Sequence, residues 1–278
     1  MKWRSFSGSM LTAEWRYIQS MHETSDLRNP DSLVRNFLPI LRRWRYALLS
    51  QNKLSNLRSL PFYYYLVART KYYDRVFLDA ISDHVQFIIN VGCGFDTRSY
   101  RFEHVLKQNG VKVLECDQPE AISDKQQMTK RLGTFDHVDY VSIDLNDNTW
   151  PDFECWLAKN NKTKALVLME GVSPYVNVET FRHFLGFLAR ELPVGSRVAY
   201  DFKLVGVKDD FGLVGRTQRP FRLTSIREEV ISYHRELGYR LDHIERSSEL
   251  SMRLLTGLGK SGAPLFTEDA FVQLVVAH

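Results

Sequence analysis

The stretch from Phe87 to Arg98, FIINVGCGFDTR, constrains the fold of this chain more than any other feature. Its first five residues are mostly apolar and rich in β-branched side chains, which is typical of a strand buried on both faces of a parallel sheet. Gly92 and Gly94 follow, and they allow a sharp turn and let a ligand approach main-chain atoms that a Cβ would cover. Open α/β folds place nucleotide-like ligands at such a loop, although a plain Gly-rich turn would show the same residues.

The composition of the chain limits the class of protein that it can be. The chain has 278 residues, 44% of them hydrophobic, which suits one large domain with a substantial core. Its net charge is only +4, and charges of both signs are interspersed along the chain, so we expect no nucleic-acid partner. The cysteines lack metal-ligand spacing, so we expect no metal, and reduced thiols favour a cytoplasmic protein. No stretch is long and apolar enough for a membrane span, and a monomer and a homodimer are both open.

Strand-like and helix-like segments alternate between residues 87 and 202. This alternation predicts a parallel sheet with helices on both of its faces. We therefore expect an α/β, doubly wound, mostly parallel sheet of seven strands. The strands predicted after the first one lie at residues 111–117, 138–143, 165–169, 197–202, 239–245 and 271–277.

Residues 1–65 are predicted to form a helical cap or lid, and residues 66–278 the ligand-binding domain. The segment 29–50 mixes apolar residues with four arginines, and Pro39 predicts a break within it. We interpret this segment as a cap helix with a solvated arginine face; a helix that lies on a membrane surface is the alternative. The aromatic stretch 60–68, LPFYYYLVA, predicts either core packing or the lining of an apolar substrate cavity.

Acidic residues follow the predicted strands at the edge of the sheet where the glycine loop lies. Asp117, Asp144 and Glu170 come at the ends of the second, third and fourth strands, which converge on the ligand crevice. A carboxylate about 25 positions after the first glycine is suited to accept hydrogen bonds from ribose hydroxyls. A dinucleotide site would need a third glycine in place of Thr97, and Asp96 would repel a pyrophosphate. S-adenosylmethionine, which has no phosphate and carries a sulfonium, fits this loop better.

Five motifs, in order between residues 65 and 202, resemble those of a known family. The family is the class I S-adenosylmethionine-dependent methyltransferases of the leucine carboxyl methyltransferase type, which includes enzymes that methylate phosphatase C-termini and O-methyltransferases of polyketide pathways. The resemblance implies a Rossmann-like fold with S-adenosyl-L-methionine as cofactor and S-adenosyl-L-homocysteine as product. The motifs are Arg69-Thr70, VGCGFDTRSYRF at 91–102, ECDQP at 115–119, SIDL at 142–145, and Glu170-Gly171 followed by Tyr175.

The same resemblance implies a role for each residue of the cofactor site. Arg69 would pair with the cofactor carboxylate, because a planar guanidinium fork matches it, and Glu170 would lie near the methionine amine. The chain departs from the family at Cys93 and at residues 172–174, where substrate is expected, so the substrate is not carried over. The methionine portion would lie on Gly92 and Gly94, and the ribose hydroxyls would bind Asp117. The adenine amino group would bind Asp144, and the face of the adenine ring would contact Leu145.

Methyl transfer is an in-line displacement at a carbon that the sulfonium already activates, so the protein mainly aligns the reactants and excludes water. A carboxylate acceptor needs no base, whereas a hydroxyl benefits from one. The candidate catalytic residues are Asp201, Glu170 and Tyr175. We expect an O-methyltransferase that acts on a hydroxyl or carboxylate of a small molecule, such as a polyketide- or peptide-derived natural product. The alternatives are a protein C-terminal carboxyl methyltransferase and a non-catalytic protein that binds S-adenosylmethionine.

Overall fold

A single sheet lies at the centre of the computed structural model, which describes residues 7–147, 149–160, 163–207, 221–260 and 262–277. Within these ranges the sheet has eight strands. They are β1 (Phe87–Val91), β2 (Lys112–Asp117), β3 (Val138–Ser142), β4 (Ala165–Met169), β5 (Arg197–Leu204), β6 (Arg222–Leu223), β7 (Tyr239–Arg246) and β8 (Asp269–Val276).

The strand order is β3-β2-β1-β4-β5-β8-β7, and β6 pairs with β5 outside this path. Strands β1 to β5 are parallel, whereas β8 runs antiparallel to both of its neighbours, β5 and β7. The prediction of a doubly wound, mostly parallel sheet is therefore confirmed. The predicted number of seven strands omitted β6, whose two residues are too few to show an alternating pattern.

Helices cover both faces of the sheet because its strands alternate their apolar side chains between two cores. Ile89 and Val167 belong to one core, and Ile88 and Leu166 to the other. The α-helices of the described residues are α1 (Ser7–His22), α2 (Ile40–Ala47), α3 (Gln51–Arg58), α4 (Pro61–Ser82), α5 (Arg98–Arg101), α6 (Glu103–Gln108), α7 (Pro119–Thr129), α8 (Pro151–Asn160), α9 (Val178–Glu191), α10 (Arg227–Arg235) and α11 (Ser247–Thr256).

Helix α4 includes the aromatic stretch 60–68 almost entirely. Pro61 is its first residue, so the aromatic stretch and the following helix form one element of 22 residues. Arg69 therefore lies in the third turn of α4. Tyr63 and Tyr65 are fully buried, which confirms the core-packing interpretation for these side chains. The boundary expected between residues 65 and 66 falls inside this helix.

From residue 7 to residue 60 the chain forms α1, α2, α3 and two 3₁₀ turns, which lie over the glycine loop and α4. Pro39 separates a 3₁₀ turn at Leu33–Phe37 from α2, so the expected break is confirmed. The expectation that the exposed side of this segment is an arginine face is wrong in part, because Leu41 and Trp44 of α2 are exposed as well. Across the described ranges, no helix has both the length and the apolarity that crossing a bilayer requires.

Candidate active site

The site lies where β1 and β4 are neighbours, because the connections from these two strands leave in opposite directions and open a crevice at their carboxyl ends. The loops that follow the two strands touch each other. Gly92 has φ +67°, and a Cβ at this position would lie 2.4 Å from Cγ2 of Val172. Both the backbone conformation and the close approach of the β4 loop therefore require glycine at position 92.

Asp117 at the end of β2 is hydrogen-bonded to the glycine loop. The backbone N–H of Gly94 donates to Oδ2 of Asp117 at 2.7 Å, and the N–H of Gln118 donates to Oδ1 at 2.8 Å. Burial raises the pKa of Asp117 above its usual value, although these two backbone hydrogen bonds oppose the shift. The register of β1 against β2, which pairs Val91 with Cys116, places this carboxylate beside the loop.

The loop after β3 continues this arrangement. The side-chain amide of Gln118 donates to Oδ2 of Asp144 at 2.9 Å, so the residues after β2 and β3 are linked. The backbone N–H of Asn146 donates to the other oxygen of Asp144. Leu145 between them is buried in the core that also contains Trp150. The three predicted residues Asp117, Asp144 and Leu145 thus lie along one edge of the sheet.

Glu170, directly after β4, is held by two arginines. Arg69 of α4 donates from Nε to Oε1 at 3.0 Å, and Arg98 of α5 donates from Nη1 to Oε2 at 2.8 Å. Only 18% of the Glu170 side chain is exposed. Burial disfavours charge on Arg69, but Glu170 and further acidic neighbours outweigh this effect and raise its pKa. The pair places one cation and one anion side by side at the end of β4.

Arg98 is a site residue to which the sequence analysis assigned no role. Its side chain is 2% exposed and also donates to Asp74 at 2.8 Å and to Asp96 at 2.7 Å. Burial opposes charge on Asp96, but Arg98 outweighs it and holds the pKa of this carboxyl well below its usual value. Arg98 shares its one positive charge among Asp74, Asp96 and Glu170, so it neutralises the charge of Asp96 only in part. The opposite charges of Asp96 and Arg98, two positions apart directly after the glycine loop, were the available sequence signal.

Asp201 lies inside β5 and not at its end, because β5 continues to Leu204. Its Oδ1 accepts a hydrogen bond from the Tyr73 hydroxyl at 2.6 Å and another from the backbone N–H of Gly171 at 2.8 Å. Burial raises the pKa of Asp201 to about 6, while Arg69 acts in the opposite direction. Asp201 therefore connects α4 to the loop that carries Glu170.

Tyr175 lies farther along the same loop, in a 3₁₀ turn at Ser173–Tyr175, and it is 44% exposed. Its hydroxyl meets the first turn of α1, where a Cβ on Gly8 would lie 2.5 Å from the phenol oxygen. A Cβ on Gly94 would lie 3.5 Å from the Cβ of Ser9, so the same turn of α1 also covers the glycine loop. The structure thus brings Glu170 and Asp201 to the Arg69 side of the loop, whereas Tyr175 faces α1.

The cap is tied to the glycine loop by buried polar contacts. Arg16 of α1 donates to Asp31 at 2.6 Å and to the backbone oxygen of Phe95 at 3.0 Å. Thr97 donates to the other oxygen of Asp31 at 2.5 Å. These contacts also escaped the sequence analysis, because they join residues that are far apart in the chain. They fix the position of α1 over the loop.

The described residues fit S-adenosyl-L-methionine. The adjacent charges of Arg69 and Glu170 match the carboxylate and ammonium groups of its methionine portion. The carboxylate of Asp117 beside the bare main chain of Gly94 matches a ribose diol, and the apolar side chain of Leu145 is of the kind that suits a base. The strand order and this site define an α/β fold of the class I methyltransferase type, as predicted.

The sequence profile of the family described as leucine carboxyl methyltransferase matches residues 9–189. The chain belongs to this family, and its cofactor is S-adenosyl-L-methionine. The match begins in α1 and includes the glycine loop and the loops after β2, β3 and β4. It therefore covers every candidate site residue except Asp201.

Similar proteins carry provisional names of the same kind. A Mycobacterium ulcerans protein, provisionally named an S-adenosyl-L-methionine-dependent methyltransferase, is 33% identical over 138 residues, which are 49% of this chain and 44% of that protein. A relative of the same name from Mycobacterium sp. (strain JLS) is 28% identical over 203 residues, which are 66% and 65% of the two chains. The aligned parts thus span from under half to about two thirds of these relatives.

Solved structures with similar coordinates include two methyltransferases. The magnesium protoporphyrin IX methyltransferase of Synechocystis, determined with S-adenosyl-L-homocysteine, aligns with a TM-score of 0.48 at 13% identity and covers 99% of this chain and 98% of its own. A geranyl diphosphate methyltransferase, determined with its substrate and sinefungin, aligns with a TM-score of 0.49 at 11% identity and covers 77% and 82%.

Proposed function

We propose that this protein is an O-methyltransferase that transfers the methyl group of S-adenosyl-L-methionine to an oxygen of a small molecule. The observation that carries the proposal is the Arg69–Glu170–Arg98 group, which lies beside the glycine loop where the methyl donor would be held. When bound, the cofactor supplies a methyl group that its sulfonium makes electrophilic. The protein has to hold the donor and acceptor in line and exclude water.

The residues of the crevice divide this task among them. Arg69 would bind the cofactor carboxylate, and Glu170 would bind the ammonium group next to it. Arg98 is a positioning residue, since it forms an ion pair with Glu170 and its own side chain is held by a second ion pair with Asp74. The remaining proposed contacts follow the strand ends: the methionine portion lies on Gly92 and Gly94, the ribose on Asp117, the adenine amino group on Asp144 and the adenine ring on Leu145.

The acceptor oxygen would approach from the side of the loop that follows Glu170. Asp201, the candidate base, uses Oδ1 to hold both Tyr73 and the Gly171 backbone, which favours a positioning role. We therefore favour a carboxylate as the acceptor over a hydroxyl, because a carboxylate attacks without losing a proton. Tyr175, which is partly exposed beside α1, is the candidate to contact the substrate itself.

A labelling experiment tests the proposal. The protein is incubated with methyl-labelled S-adenosyl-L-methionine and a cell extract that has been separated into a protein fraction and a small-molecule fraction. We expect label in the small-molecule fraction, in a product that alkali cleaves, since methyl esters are base-labile and methyl ethers are not. The Asp117→Ala variant is the control, and it should transfer less label at low cofactor concentration.

The two alternatives give different outcomes. Label that enters the protein fraction and is lost on removal of C-terminal residues would indicate a protein C-terminal carboxyl methyltransferase. Alkali-stable label would exclude a methyl ester and would contradict a carboxylate acceptor. Tight binding of S-adenosyl-L-homocysteine without transfer to any fraction would indicate a non-catalytic binding protein and would contradict the proposal.

A further inference from the structure

Helix α2 turns its apolar side outward. Four large apolar side chains in and just after this helix are exposed, and no other residue of the described ranges buries them. At 100° per residue they lie within an arc of about 100°, so they form one continuous stripe along the helix. We call this stripe the α2 apolar face; it consists of Ile40 (60% exposed), Leu41 (80%), Trp44 (65%) and Leu48 (79%).

The opposite side of α2 holds the helix to the protein through polar contacts. Arg42 forms an ion pair with Glu14 of α1. His22 Nε2 of α1 is 2.7 Å from the backbone oxygen of Tyr46, and the partly buried Tyr46 ring packs against the apolar clusters that contain Tyr17 and Ile18 of α1. The fold therefore fixes the direction of the α2 apolar face instead of burying it. Contiguous exposed apolar side chains of this kind mark interaction surfaces.

The charged residues of the segment that carries this face are all basic. The sequence contains no aspartate or glutamate from residue 32 to residue 73. Arg42, Arg58 and Arg69 in this interval are paired with acids from other segments. Three exposed basic residues in and around α2 and α3 have no ion pair with any described residue: Arg35, Arg45 and Lys53. The apolar stripe is thus accompanied by uncompensated positive charge.

We propose that α2 is an interfacial helix that docks the protein on the surface of an anionic lipid bilayer. The α2 apolar face would enter the boundary between headgroups and acyl chains, and the neighbouring basic residues would contact anionic headgroups. Trp44 suits this boundary because its ring is apolar and its indole N–H is polar. A symmetric contact between two copies of this face is less favourable, since it would bring two uncompensated basic groups together.

Vesicle binding tests the proposal without any need for methyl transfer. Binding of the whole protein is measured by co-sedimentation with vesicles of phosphatidylcholine alone and with vesicles that also contain phosphatidylglycerol. We expect binding to the mixed vesicles, weaker binding to the neutral ones and a blue shift of tryptophan emission. The shift should disappear in Trp44→Phe, which separates Trp44 from the other four tryptophans of the chain.

Two pairs of substitutions separate the apolar and the charged contributions. Leu41→Ser with Leu48→Ser should lower partitioning by about tenfold per residue, whereas Met252→Ser on α11, which is exposed as well, should not change it. Arg45→Gln with Lys53→Gln should lower binding to the mixed vesicles by about fivefold per charge and leave neutral vesicles unaffected, and Arg240→Gln is the matched control. All these positions are exposed, so the melting temperature should stay unchanged.

Two results would overturn the proposal. One is absence of binding to the mixed vesicles, or an equal loss of binding with the Met252→Ser control. The other is a change from dimer to monomer in sedimentation velocity when Leu41 and Leu48 are replaced, together with no binding to vesicles. That second result would assign the α2 apolar face to a contact between copies of the chain.

Discussion

At the scale of single residues, the site is a set of charges whose partners are all within the protein. Glu170 has an arginine on each of its oxygens, and Asp117 has a backbone N–H on each of its own. Side chains held in this way lose little further freedom when a ligand binds, which is the usual requirement for a site that positions reactants. Substitutions at such residues should therefore separate binding from chemistry.

Replacement of Asp117 should affect cofactor binding more than the rate. Asp117→Ala removes a charged acceptor for a hydroxyl pair, so we expect S-adenosyl-L-homocysteine to bind roughly 10- to 150-fold more weakly. The maximal rate at saturating cofactor should fall less, because the 2′ and 3′ hydroxyls of the ribose lie several bonds away from the transferred methyl group. Calorimetry and initial rates measure the two effects. Asp242→Ala, at an exposed position on β7, should change neither of them.

Asp201 should make the stability of the protein depend on pH. Its pKa is raised by burial from 3.8 to about 6, so the folded protein retains a proton that the unfolded chain loses. The free energy of unfolding should therefore fall as the pH rises from about 4 to about 6 and should then level off, by about 3 kcal/mol in total. Asp201→Asn keeps an oxygen for Tyr73 and Gly171 and stays neutral, so it should remove this fall.

Urea unfolding at several pH values between about 4 and 7 measures the effect. The matched control is Asp242→Asn, which replaces an exposed carboxyl and should leave the pH profile as it is in the unaltered protein. A profile that is the same in Asp201→Asn and in the unaltered chain would show that another group causes the fall. The rate of methyl transfer should change little, since we propose a positioning role for Asp201.

At the scale of elements, the loops after β1 and β4 are packed directly on each other. Gly92→Ala should destabilise the protein by about 1–2 kcal/mol through its positive φ and by about 1–3 kcal/mol more through overlap with Val172. Gly110 has φ +65° and no atom within 4 Å of a Cβ, so Gly110→Ala should show only the first contribution. Thermal or urea unfolding of both variants gives the difference.

A double-mutant cycle checks the cause of this difference. Val172→Ala should recover part of the stability lost in Gly92→Ala, because it removes the methyl group that a Cβ would meet. It should recover nothing in Gly110→Ala. Equal costs for the two glycine substitutions would mean that the contact between the loops is unimportant for stability.

The cap, which was predicted as residues 1–65, is the second element with a testable consequence. We propose that α1 closes over the bound cofactor, because its first turn already lies against Gly94 and Tyr175. Amide hydrogen exchange in α1 should slow when S-adenosyl-L-homocysteine is added. Exchange in α10, on the other side of the sheet, serves as the control. An unchanged rate in α1 would show that it is a fixed cover and not a lid.

At the scale of the whole molecule, cofactor binding should stabilise the fold as a unit, since the site is built from the ends of β1 to β4 and from α4. At a concentration 100 times its Kd, S-adenosyl-L-homocysteine should add about 2.7 kcal/mol to the free energy of unfolding. This corresponds to a rise of roughly 5–10 °C in melting temperature. NAD at the same concentration should not raise the melting temperature. A rise of equal size with NAD would contradict S-adenosyl-L-methionine as the specific cofactor.

Much of this architecture could be predicted from local patterns. The strand and glycine loop at 87–94, the alternation of strands and helices and the acids after the strands are all encoded within a few neighbouring residues. Such short-range patterns determine which segments become strands and where their ends meet. For this reason the candidate residues of the cofactor site could be predicted from the sequence, whereas β6, with two residues, could not.

The tertiary structure alone decided which distant groups meet. Arg98 and Glu170 are 72 positions apart, and Tyr73 and Asp201 are 128 apart. No local pattern records such a pairing, so only the fold shows that Arg98 contacts Glu170 and that Asp201 accepts hydrogen bonds from Tyr73 and Gly171. The direction of α2 is the same kind of result: its sequence determines an amphipathic helix, but contacts with α1 determine that the apolar side faces solvent.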